Sequence, residues 1–168
     1  MQDALDSQIL RALMDDGRIT WRELATQIGL SPPSTAERVR KLEEAGVIDG
    51  YVARVNPRSL GYTLLAFVSM SVVDPTYHDQ VMQWVKEAQE IQECHIVAGE
   101  HDYLLKVRCR DSEHLERFVR EEVGSLLGVS RTMTTVVLLT TKETTSIPLP
   151  QAGELVDSRA GGPEPARS

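Results

Sequence analysis

Residues 20–48 read TWRELATQIGLSPPSTAERVRKLEEAGVI, and this stretch decides the fold of the N-terminal part of the chain. Thr20 and Glu23 have the spacing of a capping box, so a helix is expected to begin at Thr20. Gly29 stands where helices commonly end in a left-handed residue. Between these two signals, apolar residues recur at helical spacing: Leu24, Ala25 and Ile28.

A second helix is expected directly after this glycine. Ser31 can cap it, and Pro32 is tolerated in its first turn because the N–H there has no partner within a helix. Ser34 with Glu37 offers a second capping box, so the start is defined only to within a turn. The helix should end at Gly46. Two short helices joined by a glycine turn form the helix-turn-helix pattern, and an ordinary antiparallel helix pair is the alternative.

The second helix of such a pair can enter the major groove of DNA with its N-terminus first. Its early side chains are predicted to be exposed and to reach base edges: Ser34, Thr35, Glu37 and Arg38. Two cations that follow, Arg40 and Lys41, are placed to meet phosphates. Double-stranded DNA is therefore the expected partner of this helix.

Composition limits the class of protein. A length of 168 residues allows one large domain or two small ones, and 41% hydrophobic residues is ordinary for a globular chain. No leader and no apolar run of about 18 residues stands out, so a cytoplasmic protein without a membrane partner is expected. Cys94 and Cys109 have neither metal-ligand nor disulfide spacing.

The formal net charge of −7 is spread unevenly. Residues 1–60 carry eight Lys and Arg against nine Asp and Glu, whereas residues 61–147 carry eight against thirteen. Residues 31–41 carry three basic side chains and one acidic. An acidic body with one basic helix suits a DNA-binding protein that acts in several copies, because each phosphate contact adds modestly and is sensitive to salt.

The segments around the helix pair complete a first domain. Residues 5–14 have helical spacing and should pack across the pair. Residues 47–55 contain Asp49-Gly50, a strong two-residue turn signal, between apolar alternations. This pattern predicts a hairpin, the wing of winged-helix proteins, with Arg54 as its phosphate contact.

The second part of the chain has the element order β-α-β-β-α-β, which is typical of the ferredoxin-like unit. Its predicted strands and helices are 63–73, 78–90, 91–98, 103–110, a helix capped by Asp111 or Ser112, and 129–141. Both helices lie on one face of such a sheet. The other face is partly apolar at Leu65, Phe67 and Val73, so it needs a cover, and a second copy of the chain is the economical one.

The chain resembles the Lrp/AsnC family, the leucine-responsive or feast/famine transcription regulators, over roughly residues 3–149. The matching segments are LDSQILRAL, DDGRITWRELATQIGLSPPSTAERVRKLEEAGVIDGY, NPRSLGY, GEHDYLLKV and VVLLTTKETTSIPL. The resemblance implies an α+β chain with a winged helix-turn-helix domain and hinge at 1–60 and a βαββαβ (RAM/ACT-like) sensing and oligomerisation domain at 61–147. It also implies homodimers that assemble further into tetramers or octamers, amino-acid effectors, and a DNA-reading helix over 31–45, which adds Ser31 to the DNA contacts.

The resemblance also implies an effector site between dimers, formed by the loop after the second strand and the edge of the last strand. Backbone N–H groups near Gly99 and two hydroxyls could bind the carboxylate of an amino acid, and Asp102 could pair with its ammonium group. The residues concerned are Gly99, Glu100, His101, Asp102, Thr132 and Thr134. An ordinary glycine turn with a capping aspartate and two strand threonines is the alternative.

Other functions have less support in the sequence. Cys94, His95 and His101 lack the spacing of a closed metal site, and no catalytic constellation or phosphate-binding loop stands out, so neither a cofactor nor an enzyme is expected. An amino-acid sensor that acts without DNA is the alternative function, although it would not need the basic helix. Residues 148–168 are rich in Pro and Gly, and we expect them to form a disordered tail.

Overall fold

A computed structural model describes residues 3–149, in which the chain forms two compact units. The first unit comprises residues up to Ala53 together with the described residues 143–149, and the second comprises Arg54–Lys142. The domain limits predicted from the sequence stay a prediction, and the predicted tail lies outside the described residues apart from its first two positions.

The described residues of the first unit form three helices: α1 (Ala4–Asp15), α2 (Trp21–Ile28) and α3 (Pro32–Glu44). Their apolar faces meet in a small core made of Ile9, Leu24, Ile28, Val39 and Leu42. Thr20 and Ser31 cap α2 and α3 as predicted, each side chain accepting a backbone N–H of the first turn. Asp3 caps α1 in the same way. Gly29 ends α2 in the left-handed region, at φ 72°. The helix-turn-helix is therefore confirmed.

The hairpin predicted over residues 47–55 is wrong, because these residues form no strand in the structure. The N–H groups of Val47 and Ile48 both donate to the Leu42 carbonyl, at 2.9 and 3.2 Å, and so satisfy the end of α3 instead of a ladder. Gly50 does not adopt the positive φ that a tight hairpin turn would favour. The Tyr51 hydroxyl donates to Glu43 at 3.0 Å, which attaches the segment to α3.

The second unit is a four-stranded antiparallel sheet with the strand order β2-β3-β1-β4. Its elements are β1 (Leu64–Val72), α4 (His78–Glu87), β2 (Ile91–Ile96), β3 (Tyr103–Cys109), α5 (Ser112–Arg117) and β4 (Val129–Val136). A short 3-10 helix precedes β1 at Pro57–Leu60, another leads into α4, and a π-helical turn continues α5 from Phe118 to Val123. The predicted ferredoxin-like order is confirmed, although β4 ends at Val136 and not at residue 141.

Alternation along β1 decides which face of the sheet is covered. Ala66, Val68 and Met70 are fully buried, and they form the core with Val81 of α4 and Phe118 after α5. Residues that pair across antiparallel strands share a face. The opposite face therefore carries Phe67 of β1, its partner Lys106 of β3, and the pairs of Ser69, which are Leu104 and Met133. Within this chain Met133 is 51% exposed.

Candidate DNA interface and effector site

The start of α3 is built so that its backbone donors are already used. Pro32 and Pro33 carry no N–H, the Ser34 N–H donates to Ser31 Oγ at 3.3 Å, and the Thr35 N–H donates to the Ser31 carbonyl at 3.0 Å. A helix N-terminus usually binds a phosphate through N–H groups that have no partner. Contacts from this end of α3 must therefore come from side chains, of which Ser31 and Ser34 are exposed.

Thr35 was predicted to be exposed toward the bases, and this prediction is wrong. Its side chain is completely buried, and its hydroxyl donates to the Ser31 carbonyl at 3.1 Å. Thr35 precedes Val39 by four residues, so both point from the same face of α3 into the helical core. A side chain buried in this position packs in the core of the helix pair.

The cations of α3 lie next to carboxylates of the same unit. Arg40 pairs with Glu37 at 2.7 Å and with Glu44, while Lys41 lies 3.5 Å from Glu37. The hydrogen bond from Arg40 lowers the pKa of Glu37. Both cations are more than half exposed. Exposed pairs of this kind are weak, so phosphates could replace the glutamates at small cost.

Arg38 is held differently from the other two cations. Its Nη1 donates to Asp3 and to Asp6 of α1, at 2.8 Å each, and these bonds raise its pKa, with Asp6 as the larger cause. Arg54, the predicted wing contact, is exposed just beyond the first unit. The predicted DNA roles of these residues stay predictions.

The loop between β2 and β3 is fixed by its last residue. Asp102 accepts the Val72 N–H at 2.9 Å through Oδ2, and its own N–H donates to the Met70 carbonyl at 3.1 Å. The Val97 N–H closes the loop on the Asp102 carbonyl at 2.9 Å. These bonds place the turn Gly99–Asp102 at the end of β1, where Oδ1 of Asp102 makes no hydrogen bond to any described residue.

The loop is also anchored through Tyr103, the first residue of β3. Tyr103 is 2% exposed, and its hydroxyl lies 2.8 Å from His78 Nδ1, at the start of α4. Burial raises the pKa of this phenol. The loop is thus attached to both β1 and α4, which is the kind of rigid support that a binding loop needs.

The structure brings one unpredicted residue to the loop. Arg131 of β4 pairs with Glu100 at 3.3 Å, reaching across β1, and both side chains are well exposed. Arg131 is paired with Ser71 in the sheet, on the uncovered face. Sequence reasoning missed it because strand register decides which β4 residue meets the loop, and an arginine at the start of a strand carries no signal of its own.

The two predicted threonines point to the other face of β4. Thr132 pairs with Met70 and Thr134 with Val68, both of which are buried beneath the helices. Both threonines are nevertheless exposed, because β4 is an edge strand. The described hydrogen bond between β4 and the loop involves Arg131, and effector contact by the threonines stays a prediction.

His101 is the buried residue of the loop. It is 9% exposed, and its Nε2 has no hydrogen-bond partner among the described residues. Among residues 3–149, no group of three or more His, Cys, Asp and Glu side chains could hold a metal ion. None of the helices formed by these residues could span a membrane.

Comparison with family models assigns both units. Residues 2–49 match the model described as winged helix-turn-helix DNA-binding, and residues 65–147 match the Lrp/AsnC ligand binding domain. Among relatives, the HTH-type transcriptional regulator FL11 of Pyrococcus abyssi is 39% identical over 147 residues, covering 88% of this chain and 96% of the relative. The leucine-responsive regulatory protein of Escherichia coli is 42% identical over 143 residues, covering 84% and 87%.

Solved structures agree with this assignment. A transcriptional regulator of Neisseria meningitidis in complex with L-Met superposes with a TM-score of 0.86 at 32% identity, covering 88% of this chain and 97% of that one. A feast or famine regulatory protein of M. tuberculosis complexed with L-methionine gives a TM-score of 0.80 at 37% identity, covering 86% and 97%.

Proposed function

The chain belongs to the Lrp/AsnC family of transcriptional regulators, and from that premise we propose that it binds specific DNA sites in the cytoplasm under the control of an amino acid. The helix-turn-helix supplies the DNA contacts, and the loop Gly99–Asp102 supplies the effector site. The observation that carries the second half is the fixed carboxylate of Asp102, which is tied to β1 through one oxygen and presents the other.

An amino acid suits the charges around this loop. Its ammonium group needs an acceptor, which Asp102 Oδ1 provides, and its carboxylate needs donors, which backbone N–H groups near Gly99 and the hydroxyls of Thr132 and Thr134 could provide. Glu100 and Arg131 form an exposed pair beside the loop, and each could exchange its partner for one end of a zwitterion. Two relatives of known structure are complexes with methionine, which supports this class of ligand.

We propose that two copies of the chain form a homodimer through the uncovered face of the sheet. Phe67, Leu104 and Met133 form an apolar strip there, and the pair Lys106–Glu93 lies beside it at 2.9 Å. A second copy placed sheet against sheet would bury the strip and leave the charged rim in water. Dimers would then associate into tetramers or octamers through the effector loops.

Regulation would follow from a shift between assemblies. An amino acid that binds one arrangement of dimers more tightly than another moves the equilibrium toward the first. Because each dimer carries its recognition helices at a fixed spacing, a change of assembly changes which DNA sites can be occupied together. The ligand thus alters DNA binding without touching DNA.

Effector binding is tested by a thermal-shift screen of the full chain against the twenty amino acids. We expect one or a few of them to raise Tm, by about 2–4 °C for each kcal/mol of stabilisation. Asp102→Asn is the informative variant, since its amide oxygen can still accept the Val72 N–H while its charge is gone. It should keep the unliganded Tm and lose the shift, and a full shift in this variant would remove Asp102 from the site.

DNA binding is tested with a duplex of the region upstream of the protein's own coding sequence and a scrambled duplex of equal length. Wild-type protein should prefer the first in a gel shift, and Arg40→Gln should weaken binding to both. The amino acid found in the screen should change the affinity for the upstream duplex or the number of protein–DNA complexes resolved in the gel. No preference between the duplexes at low salt would refute sequence-specific binding to this region.

A further inference from the structure

A three-residue ionic cluster joins the recognition helix to α1. Arg38 Nη1 donates to Asp3 Oδ2 and to Asp6 Oδ1, both at 2.8 Å, although Arg38 is distant from them in sequence. Its partners are the cap and the third residue of α1, whereas the ion pairs of Arg40 and Lys41 with described residues run along their own helix. In this unit, Arg38 is thus the α3 cation whose described ion pairs connect two helices.

Each aspartate uses its two oxygens for different tasks. Asp3 Oδ1 accepts the Asp6 N–H at 2.9 Å, and Asp6 Oδ2 accepts the Asp3 N–H at 3.1 Å, which is the reciprocal capping box of α1. The remaining oxygens, Asp3 Oδ2 and Asp6 Oδ1, both accept from Arg38. The cap of α1 and the anchor of α3 are therefore one hydrogen-bonded unit.

Burial separates the Arg38–Asp6 pair of this cluster from ordinary surface ion pairs, although Asp3 itself is exposed. The Asp6 side chain is 11% exposed and that of Arg38 is 31% exposed, compared with 53% for Arg40. A carboxylate as enclosed as that of Asp6 is costly to leave without its cation. If Arg38 turned toward a base, Asp6 would lose that partner inside the unit.

From these contacts we infer that Arg38 is a positioning residue, which sets the placement of α3 on α1 through Asp3 and Asp6 and does not itself read bases. This inference rests on the DNA-binding function proposed above. It reverses the role that the sequence pattern favours, because an arginine early in a recognition helix is usually assigned to a base edge. It also predicts that two acidic residues, which should repel DNA, are needed for specific binding.

The test compares two routes to breaking the cluster in the full-length protein. Arg38→Gln removes the cation, Asp3→Asn with Asp6→Asn removes the carboxylates while keeping oxygens for the helix cap, and a third variant carries all three changes. Arg40→Gln serves as a phosphate-contact comparison, and Arg120→Gln, an exposed cation of the second unit, serves as the neutral control. Affinity for the upstream and scrambled duplexes is measured as a function of salt.

We expect the ratio of upstream to scrambled affinity to fall by roughly tenfold in both routes, and by no more in the combined variant, because coupled changes are not additive. The slope of log affinity against log salt should stay at its wild-type value in Arg38→Gln. It should lose about 0.9 in Arg40→Gln, the value of one phosphate contact. Thermal unfolding of the same variants should show the same non-additivity without any DNA present.

Two results would overturn the inference. In the first, the Asp3→Asn, Asp6→Asn variant binds the upstream duplex at least as well as wild type while Arg38→Gln does not, so that the arginine acts on DNA directly. In the second, the losses of thermal stability in the Arg38 variant and in the Asp3, Asp6 variant add up in the combined variant, so that Arg38 is not coupled to the two aspartates. Failure of the proposed function looks different, since wild-type protein would then show no preference between duplexes while the unfolding cycle kept its coupling.

Discussion

At the scale of single residues, the polar side chains that start the helices of the first unit do more than define helix ends. Asp3 is an example, because it caps α1 and also binds Arg38. Hydrogen bonds from the Asp6 N–H and from Arg38 lower the pKa of Asp3, with the first as the larger cause. Such a group links the stability of the unit to pH.

This linkage gives a pH prediction. Because the pKa of Asp3 is lower in the folded chain than its unfolded value of about 3.9, its contribution is complete above that value and is lost as pH falls through the folded pKa. Asp3→Asn should therefore lower Tm at pH 7, and the difference should shrink as pH falls through the lowered pKa of Asp3. A Tm difference that persisted unchanged in acid would contradict the assignment. Circular dichroism melts of both proteins at each pH provide the measurement.

Two glycines of the second unit form a matched pair for testing backbone strain. Gly61 and Gly128 both have positive φ, at 83° and 84°. A Cβ at Gly61 meets nothing within 4 Å, whereas at Gly128 it would lie 2.3 Å from the ring of Tyr77. We expect Gly61→Ala to cost about 1 kcal/mol of unfolding free energy from left-handed strain alone. Gly128→Ala should cost about 2–4 kcal/mol because the ring must also move. Urea unfolding of both variants measures the difference, and equal losses would refute the clash.

At the scale of elements, local signals were sufficient wherever a helix cap or an alternation was strong. The capping box at Thr20 and Glu23, the left-handed Gly29 and the order of the sheet elements were all predicted correctly. The hairpin over residues 47–55 was predicted wrongly, because Asp49-Gly50 indicates a turn but not whether the residues on either side of it pair. Whether flanking residues pair depends on what else their N–H groups can reach, and here the Leu42 carbonyl takes two of them.

Thr35 shows that local signals also have limits on a helix. Helical spacing alone does not decide whether a polar residue near the edge of the apolar face of α3 is buried or exposed. Its burial predicts that Thr35→Val, which keeps the shape and removes the hydroxyl, costs about 1 kcal/mol of stability through the lost bond to Ser31. Preference for the upstream duplex over the scrambled one should be unchanged at a temperature where the variant is folded. Ser34→Ala, on the exposed side, is the matched comparison and should change stability less. Loss of duplex preference in Thr35→Val would return Thr35 to the DNA interface.

At the scale of the whole molecule, the candidate site was predictable only in part. The loop Gly99–Asp102 was identified from the family resemblance, and its place at the end of β1 follows from strand order. The pairing of Glu100 with Arg131 and the burial of His101 required the register of β4 and the packing of the loop. These properties depend on residues far apart in the chain, and no local pattern encodes them.

Assembly is the property on which the proposed regulation depends, and the uncovered sheet face offers a direct test. Met133→Glu places a charge on the apolar strip at a side chain that is 51% exposed in the single chain, so the fold of the protomer should survive. Leu127→Glu, at a residue 65% exposed, lies outside the strands and is the matched control. Analytical ultracentrifugation should show that the first variant shifts toward monomer at concentrations where the second remains a dimer.

The same variant should bind the upstream duplex more weakly by a factor of about 100 or more, since linked binding sites gain this much over separate ones. Met133→Glu should also bind the amino acid found in the thermal-shift screen more weakly if the effector site requires two dimers. Unchanged assembly in Met133→Glu would show that the uncovered face does not form the dimer. In that case the recognition helices would have to be brought together by another surface, and the proposed coupling between amino acid and DNA would lose its structural basis.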